Sequence, residues 1–513
     1  MDLFNDFGIF FSTLFSLMSS PSNILLLFGC SFLGIIFGAL PGLTATLGVA
    51  LLTTLTYGMG VNTALIALLG MYVGAIYGGS YPAILINIPG TAAAAATAMD
   101  GYPLALKGEG GRALGLTTTA SFIGTVIGMI ALVMAAPLIT GIALQFTSYE
   151  FFLLAIFGIV ISGTLTSKDL VYKGWIAGLL GLLLACIGRD RLQFFPRFTF
   201  DMPELDGGIE VVPVLIGAFG IPQIIKVLRD RIKLSQPKDF GRILPEFSTV
   251  LHNMKHIFRS AMIGIGIGTV PGVGEDIAGW VSYGTAKNTS KNPENFGKGE
   301  PAGIVSSETA NNACIGGALI PLLTLGIPGS PPAAMLLGAL MLHGVTPGPM
   351  IGLENPSFFI EICAILLLAS LAMWINGIFL ARQVVKLLQI PTAVFLPIVG
   401  VLCVIGSYAL GLNIFNLYLM VPIGIVAYFL TEMKYPIAPL VIGVILGPMA
   451  DENLRRALMV SDGSFMPFFE RPVAILLILV IVLTVLTRLP IYQRLKSSIW
   501  TRISSKQGQQ SEK

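Results

Sequence analysis

Asn87-Ile88-Pro89-Gly90-Thr91 and Gly326-Ile327-Pro328-Gly329-Ser330 are two versions of one short string, each set inside a long apolar run. Each has an earlier Pro-Gly mark upstream: Gly38-Ala39-Leu40-Pro41-Gly42 in the first copy, Gly268-Thr269-Val270-Pro271-Gly272 in the second. Between the marks, Gly78-Gly79 corresponds to Gly316-Gly317. The two Pro-Gly marks lie 48 residues apart in the first copy (41 to 89) and 57 in the second (271 to 328). A polar insertion around 287–300 accounts for the longer spacing.

Proline removes a backbone N–H and glycine permits irregular dihedrals, so an apolar helix stops at such a string. The freed backbone groups cannot face lipid, but they can line a cavity. A duplicated pair of Pro/Gly-broken hydrophobic segments is the sequence mark of a transporter's binding site. A half-helix starting after Pro89-Gly90 or Pro328-Gly329 is expected to turn N–H groups and its positive dipole end toward an anion. Thr91 and Ser330 would add a hydroxyl donor or N-cap. The candidate substrate contacts are therefore Asn87, Pro89, Gly90, Thr91, Gly326, Pro328, Gly329 and Ser330. The candidate helix breaks or hinges are Pro41, Gly42, Pro271 and Gly272. The alternative is a plain proline kink in a packed helix. Matched pairs of breaks favour the cavity.

Polar residues gather in the second copy. Glu275 and Asp276 follow Pro271-Gly272, and Glu308, Asn311 and Asn312 open the next apolar segment. Intramembrane carboxylates usually mark ion or proton paths, although these acids could also be solvated at a helix start. A sodium ion, being a hard cation, would take oxygens from Asn87, Glu308, Asn311 and Asn312. A coupling proton would instead sit on Glu308 or Asp276. No cofactor other than such a coupling ion is expected.

Composition sets the class. Of 513 residues, 54% are hydrophobic and 11% charged, against about 25% charged in a soluble domain. Apolar runs of about twenty residues recur, each enough to cross roughly 30 Å of hydrocarbon. A soluble enzyme, a disordered chain and a nucleic-acid binder are excluded, the last because a net charge of +3 is small. Cys30, Cys186, Cys314, Cys363 and Cys403 are scattered singly and read as small buried hydrophobes. His252 and His256 lie in a basic stretch without a third ligand, so no metal site is expected. Phe296-Gly297-Lys298-Gly299-Glu300 lacks the upstream glycine and the hydroxyl of a phosphate loop. The run Gly264-Ile265-Gly266-Ile267-Gly268 reads as close helix packing rather than a dinucleotide loop.

The expected fold is an all-α polytopic membrane protein with about a dozen membrane-embedded helices, at roughly 20 residues per span. Its internal repeat is expected to be inverted. Residues 1–225 form the first transmembrane half, with the repeat motif at 38–115, and 226–259 form a basic cytoplasmic linker. Residues 260–488 form the second half, with the motif at 268–350, and 489–513 form a cytoplasmic tail. No Lys or Arg precedes Lys107, so the first apolar segment reads as part of the mature protein, not a cleaved signal. Lys226, Arg229, Arg231, Lys233, Lys238, Arg242, Lys255 and Arg259 place the linker in the cytoplasm. Counting back span by span puts 98–112 inside. It puts 188–207 outside, despite Arg189, Arg191 and Arg197, which are set against four acids. The loop after the second motif, 351–357, has no basic residue, which gives the two copies opposite orientations.

Several stretches together resemble a known family. They are Tyr77-Gly78-Gly79, Asn87-Ile88-Pro89-Gly90-Thr91, Asp100-Gly101-Tyr102-Pro103 and Lys107-Gly108-Glu109-Gly110-Gly111-Arg112 in the first copy. In the second they are Phe296-Gly297-Lys298-Gly299, Glu308-Thr309-Ala310-Asn311-Asn312-Ala313, the run Pro321–Ser330 and Leu342-His343-Gly344. In that order they resemble the large permease subunit of the tripartite tricarboxylate transporters, the TctA family. Gly274-Glu275-Asp276 departs from the Gly-Ala-Thr type of many members. The resemblance implies a multi-pass secondary transporter of the bacterial inner membrane, driven by a sodium or proton gradient and carrying citrate-like or other carboxylates. Its implied partners are a small four-helix membrane subunit (TctB-like) and a periplasmic solute-binding protein (TctC-like).

Two other functions stay open on the sequence. A carboxylate exporter or passive channel would need no capture protein. An intramembrane enzyme would need a nucleophile–base pair or metal cluster at membrane depth, and the spacing of three histidines offers neither.

Overall fold

A computed structural model of the chain describes residues 3–167, 170–190, 192–230, 243, 247–355, 357–388, 390, 394–409 and 413–488. Arg191, the linker residues Arg231, Lys233, Lys238 and Arg242, and the tail 489–513 lie outside the described residues. The helices of the N-terminal stretch are α1 (Leu3–Ser19), α2 (Pro21–Ala39), α3 (Ala45–Leu55), α4 (Val61–Gly78), α5 (Ser80–Ile86), α6 (Ala95–Leu106) and α7 (Gly110–Ala143). They continue with α8 (Ser148–Thr166), α9 (Val171–Ala185), α10 (Val211–Asp230), α11 (Phe247–His252), α12 (Met254–Gly268), α13 (Gly274–Thr289), α14 (Pro301–Leu325) and α15 (Pro331–Leu342). The remainder are α16 (Ile351–Glu354), α17 (Phe358–Phe379), α18 (Ala381–Leu387), α19 (Leu396–Ala409), α20 (Ile414–Glu432), α21 (Ile437–Val460), α22 (Pro467–Glu470) and α23 (Pro472–Leu486). Among the described residues the sole sheet is a two-stranded antiparallel hairpin, Gly188–Arg189 with Pro196–Arg197. Among the described residues eight helices are long and apolar enough to cross a membrane, and shorter apolar helices accompany them. The fold is all-α and polytopic, as the composition requires.

The chain forms two compact units, and each draws on both halves of the sequence. One comprises Met1–Gln145 and Ile209–Met433, the other Phe146–Gly208 and Lys434–Lys513. In the second unit α21 packs on α8 and α9 with glycines at the crossing. A methyl group on Gly181 would lie 1.9 Å from the Leu440 carbonyl, so only glycine lets these backbones approach. The arginines of the 188–207 hairpin find acids here: Arg189 pairs with Asp206 at 2.7 Å and Arg197 with Asp451 at 2.8 Å.

The first unit holds both copies of the repeat, and their helix packing matches residue for residue. In the first copy α2 lies on α4, and methyls on Gly34 and Gly38 would sit 2.4 and 2.1 Å from the carbonyls of Met71 and Ala75. In the second copy α12 lies on α14, and methyls on Gly264 and Gly268 would sit 2.2 and 2.6 Å from those of Ala310 and Cys314. Gly266, on the opposite side of its helix, meets nothing within 4 Å, so the glycine run is a packing stripe. The same contacts correct the register of the glycine pair. Gly78 lies against Ile35 and Gly317 against Ile265, so Gly78 matches Gly317. Gly316 instead touches Gly128 of α7. The extra spacing of the second copy lies between α13, 16 residues against 11 in α3, and the start of α14.

The copies interleave. Helix α15 of the second copy packs on α3 of the first, while α6 of the first packs on α13 of the second. Helix α7 packs on α14, and α17 packs on α4. Along α4 and α5 the neighbours on α14 run backwards: Tyr72 is within electrostatic reach of Cys314, and Ser80 bonds Glu308. The equivalent helices of the two copies therefore run antiparallel.

Candidate functional site

Both breaks are built alike. Helix α5 ends at Asn87 and α14 at Gly326, each in the left-handed region (φ 57° and 72°) that terminates a helix. The next amide folds back in each case: Ile88 N–H donates to Pro82 O at 3.2 Å, and Ile327 N–H to Pro321 O at 3.1 Å. The tip then presses on the first helix of its own copy. A methyl on Gly90 would lie 2.0 Å from Gly38 O, and one on Gly329 would lie 2.0 Å from Gly268 O. That contact, a carbonyl that cannot yield, is why each proline is followed by glycine. Pro41-Gly42 and Pro271-Gly272 occupy the turns from α2 to α3 and from α12 to α13, with Gly42 and Gly272 at φ 102° and 73°. They separate helices rather than kink them.

The two tips differ in what they offer an anion, which corrects the expectation of free N–H groups at both. Pro331 and Pro332 open α15 and carry no N–H. The next donors are used internally: Ala333 N–H goes to Ser330 Oγ at 3.3 Å and Ala334 N–H to Ser330 O at 2.9 Å. The start of α15 is thus capped. At the first tip the 3-10 turn Ala92–Ala94 follows Thr91, whose hydroxyl caps nothing, is buried and has no hydrogen-bond partner. The N–H groups of Ala92 and Ala93 open that turn without an intrahelical acceptor.

Between the breaks lies a buried carboxylate. Glu308, in the first half of α14, is fully buried. Its carboxylate accepts from Ser80 Oγ at 2.6 Å, from Ser121 Oγ at 2.9 Å and from Thr97 Oγ1. Those hydroxyls come from α5, α7 and α6, so all three donors belong to the first copy and the acid to the second. Asn311 stands beside the carboxylate and donates to Ala93 O at 3.2 Å, tying the first tip to the same place. Asn312 Nδ2 donates to Asn311 Oδ1 at 2.8 Å, and Asn312 Oδ1 is buried without a partner. A carboxylate, hydroxyl oxygens and amide oxygens converging in a dry interior form a set that can hold a proton or a hard cation.

The structure brings together Glu308, Asn311, Asn312 and the first tip. Asn87 and Asp276 are exposed instead. Glu275, beside Asp276, is buried; it accepts from Tyr72 Oη, which also lies 2.7 Å from Ser330 Oγ. The sequence reading did not single out Tyr72, Ser80, Thr97 or Ser121. One signal was available, the hydroxyl-rich run Thr117-Thr118-Thr119-Ala120-Ser121 inside an apolar helix.

Two further motifs meet each other. Asp100, fully buried at the base of the first tip, accepts from the backbone N–H groups of Gly297, Gly299 and Glu300, each at 2.8 Å, and from Tyr283 Oη at 2.9 Å. Lys107 Nζ donates to Lys298 O at 2.7 Å. The Phe296-Gly297-Lys298-Gly299 stretch is thus a loop wrapped on a carboxylate of the other copy, not a phosphate loop.

Interleaved broken helices meeting at a buried carboxylate are the kind of arrangement that membrane transporters use to form a binding site. Comparison with known proteins gives the family. The profile described as "Tripartite tricarboxylate transporter TctA family" matches residues 24–442, and the chain belongs to that family. It is 37% identical over 486 residues to the "Uncharacterized 52.8 kDa protein in TAR-I ttuC' 3'region" of Agrobacterium vitis, covering 92% of this chain and 94% of that protein. It is 39% identical over 225 residues to the "Uncharacterized protein in TAR-II ttuC' 3'region" of the same organism, covering 44% of this chain and 93% of the relative. No solved structure matches the chain.

Proposed function

We propose that this chain is the large permease subunit of an ion-gradient-driven secondary transporter that imports tricarboxylates or other organic carboxylates across the bacterial inner membrane. It works with a small four-helix membrane subunit and a periplasmic solute-binding protein, as the tripartite family description supports. The observation that carries the reading is Glu308, an acid of one copy buried against three hydroxyls of the other beside the first tip. A coupling sodium ion takes the Glu308 carboxylate, the hydroxyl oxygens of Ser80, Thr97 and Ser121, and the amide oxygens of Asn311 and Asn312. A coupling proton takes the carboxylate alone. The substrate carboxylate docks at the first tip, on the Thr91 hydroxyl and the amides that follow it. The test is uptake of labelled organic acids into proteoliposomes holding both membrane subunits, with the solute-binding protein added and sodium and proton gradients imposed separately. Uptake that requires one gradient and the binding protein is the expected result. Gradient-independent equilibration without the binding protein overturns the reading in favour of a channel.

A further inference from the structure

The backs of the two tips are chemically unequal. Behind the second tip, Tyr72 Oη donates to the Glu275 carboxylate and lies 2.7 Å from Ser330 Oγ. Ser330 Oγ in turn accepts the Ala333 N–H. These donors form a chain, from Ala333 N–H through the Ser330 and Tyr72 hydroxyls, that ends on Glu275. Tyr72, Glu275 and Ser330 are all buried, and the other titratable groups facing Glu275 are Asp276 and Cys314. No cation stands among them. The helix equivalences of the fold place Ala45 in the first copy where Glu275 stands in the second, because Gly38 matches Gly268. They also place Asn311 opposite Tyr72 and Thr91 opposite Ser330, because Gly90 matches Gly329. At the first tip the place of Glu275 is taken by Ala45, and the Thr91 hydroxyl is buried without a partner.

A hairpin tip that turns a serine or threonine hydroxyl on an anion is a carboxylate receptor. At the first tip that hydroxyl has no partner within the protein; at the second the protein supplies a carboxylate, reached through Tyr72. We propose that Glu275 is a built-in occupant of the second tip's carboxylate subsite and thereby fixes the substrate class. The preferred substrate turns a carboxylate to Thr91 and an uncharged hydrogen-bond donor, such as a hydroxyl, to the Tyr72–Glu275–Ser330 side. A substrate bringing another carboxylate to that side meets Glu275 as a like charge in a dry interior, which lowers affinity by at least about tenfold. This inference rests on the carboxylate reading given above.

The experiment measures ligand stabilisation of the full-length purified chain against unfolding, using 3-hydroxybutanoate, 2-hydroxybutanedioate and propane-1,2,3-tricarboxylate as probes. The wild-type protein is expected to respond at lower concentrations of the two hydroxy acids than of the tricarboxylate. In Glu275→Gln and Glu275→Ala the apparent affinity for the tricarboxylate, relative to the hydroxy acids, rises about tenfold or more. The ratio does not depend on how much protein folds, so a purely structural role for Glu275 would leave it unmoved. Preference of the wild type for the tricarboxylate overturns the inference even if no variant folds, and so does an unchanged ratio in either Glu275 variant. A wild type that responds to none of the three acids overturns the carboxylate reading itself, and this inference with it.

Discussion

Ser80 Oγ lies 2.6 Å from Glu308 Oε1, and the two residues belong to different copies of the repeat. The bond joins the start of α5, the first broken segment, to the first half of α14 in the second. Glu308 therefore serves two ends, keeping the copies in register and offering a charge at their junction. Glu308→Gln keeps the size and an acceptor but removes the charge, so folding should survive while the dependence of uptake on the coupling ion is lost. Glu308→Ala leaves three hydroxyls without their acceptor, about 1–3 kcal/mol for each that stays buried, and should lower thermal stability as well. Asn311→Ala should shift the ion dependence with a smaller stability loss. Ion titrations of uptake beside thermal unfolding check all three, and unchanged ion dependence in each would remove the site.

The glycines after the two prolines give a stability prediction with an internal control. Gly90→Ala and Gly329→Ala each force a methyl onto a backbone carbonyl 2.0 Å away. Each should destabilise by about 1–3 kcal/mol, the usual range for overpacking. Gly266→Ala, where nothing lies within 4 Å, should be neutral or stabilising by up to about 1 kcal/mol through helix propensity. Thermal unfolding of the detergent-solubilised protein measures the contrast. Equal effects at all three positions would contradict the tip geometry.

Asp100 pins the 297–300 loop by accepting three backbone N–H groups. In Asp100→Ala those donors lose their acceptor, and the loop should open to water rather than keep them buried. Amide exchange at Gly297, Gly299 and Glu300 should then accelerate, while exchange in the interior of α14 stays slow. Asp100→Asn, with a neutral acceptor, should fall between the two. Hydrogen–deuterium exchange read by mass spectrometry resolves the loop from the helix.

Much of this arrangement is legible before any coordinates. Glycine after proline at 90 and 329 reports a close approach that no other residue fits, and an acid at 308 inside an apolar run reports a special environment. The partners of Glu308 are not legible, for a physical reason. A serine or threonine in an apolar helix commonly bonds its own backbone one turn back, as Thr118 does to Leu114 O and Thr119 to Gly115 O. Sequence spacing cannot tell that use from a reach across helices such as Ser121 makes. Pro331-Pro332 is a different case. The absence of two N–H groups there is readable in the sequence, and it outweighs the helix dipole at that tip. The division into compact units was hidden because it depends on pairings between distant stretches, such as α9 with α21.

Antiparallel equivalent helices imply opposite orientations of the copies across the bilayer. Ala105 precedes the turn into α7, and Asn355 precedes α17. Single cysteines introduced at these positions, in a background lacking the five native ones, should label from opposite sides with a membrane-impermeant maleimide. Labelling of both from one side would refute the inverted repeat.

Thr91 and Ser330 occupy matching positions but should respond differently to loss of their hydroxyls. The Thr91 hydroxyl is buried without a partner, so Thr91→Val removes no bond of the protein itself and should leave stability unchanged or raised. If that hydroxyl meets the substrate carboxylate, the same change should weaken apparent affinity by about 1–3 kcal/mol. The Ser330 hydroxyl caps α15 and is held by Tyr72. Ser330→Ala should therefore lower stability by about 1 kcal/mol, the usual worth of an N-cap, and affect affinity less. Lys107 is the competing candidate for the anion, yet its ammonium donates to the Lys298 carbonyl, so Lys107→Gln should reduce uptake only modestly. Parallel measurements of apparent affinity and thermal unfolding for the three variants separate these outcomes. Abolished uptake in Lys107→Gln, with unchanged affinity in Thr91→Val, would move the docking site from the first tip to the loop.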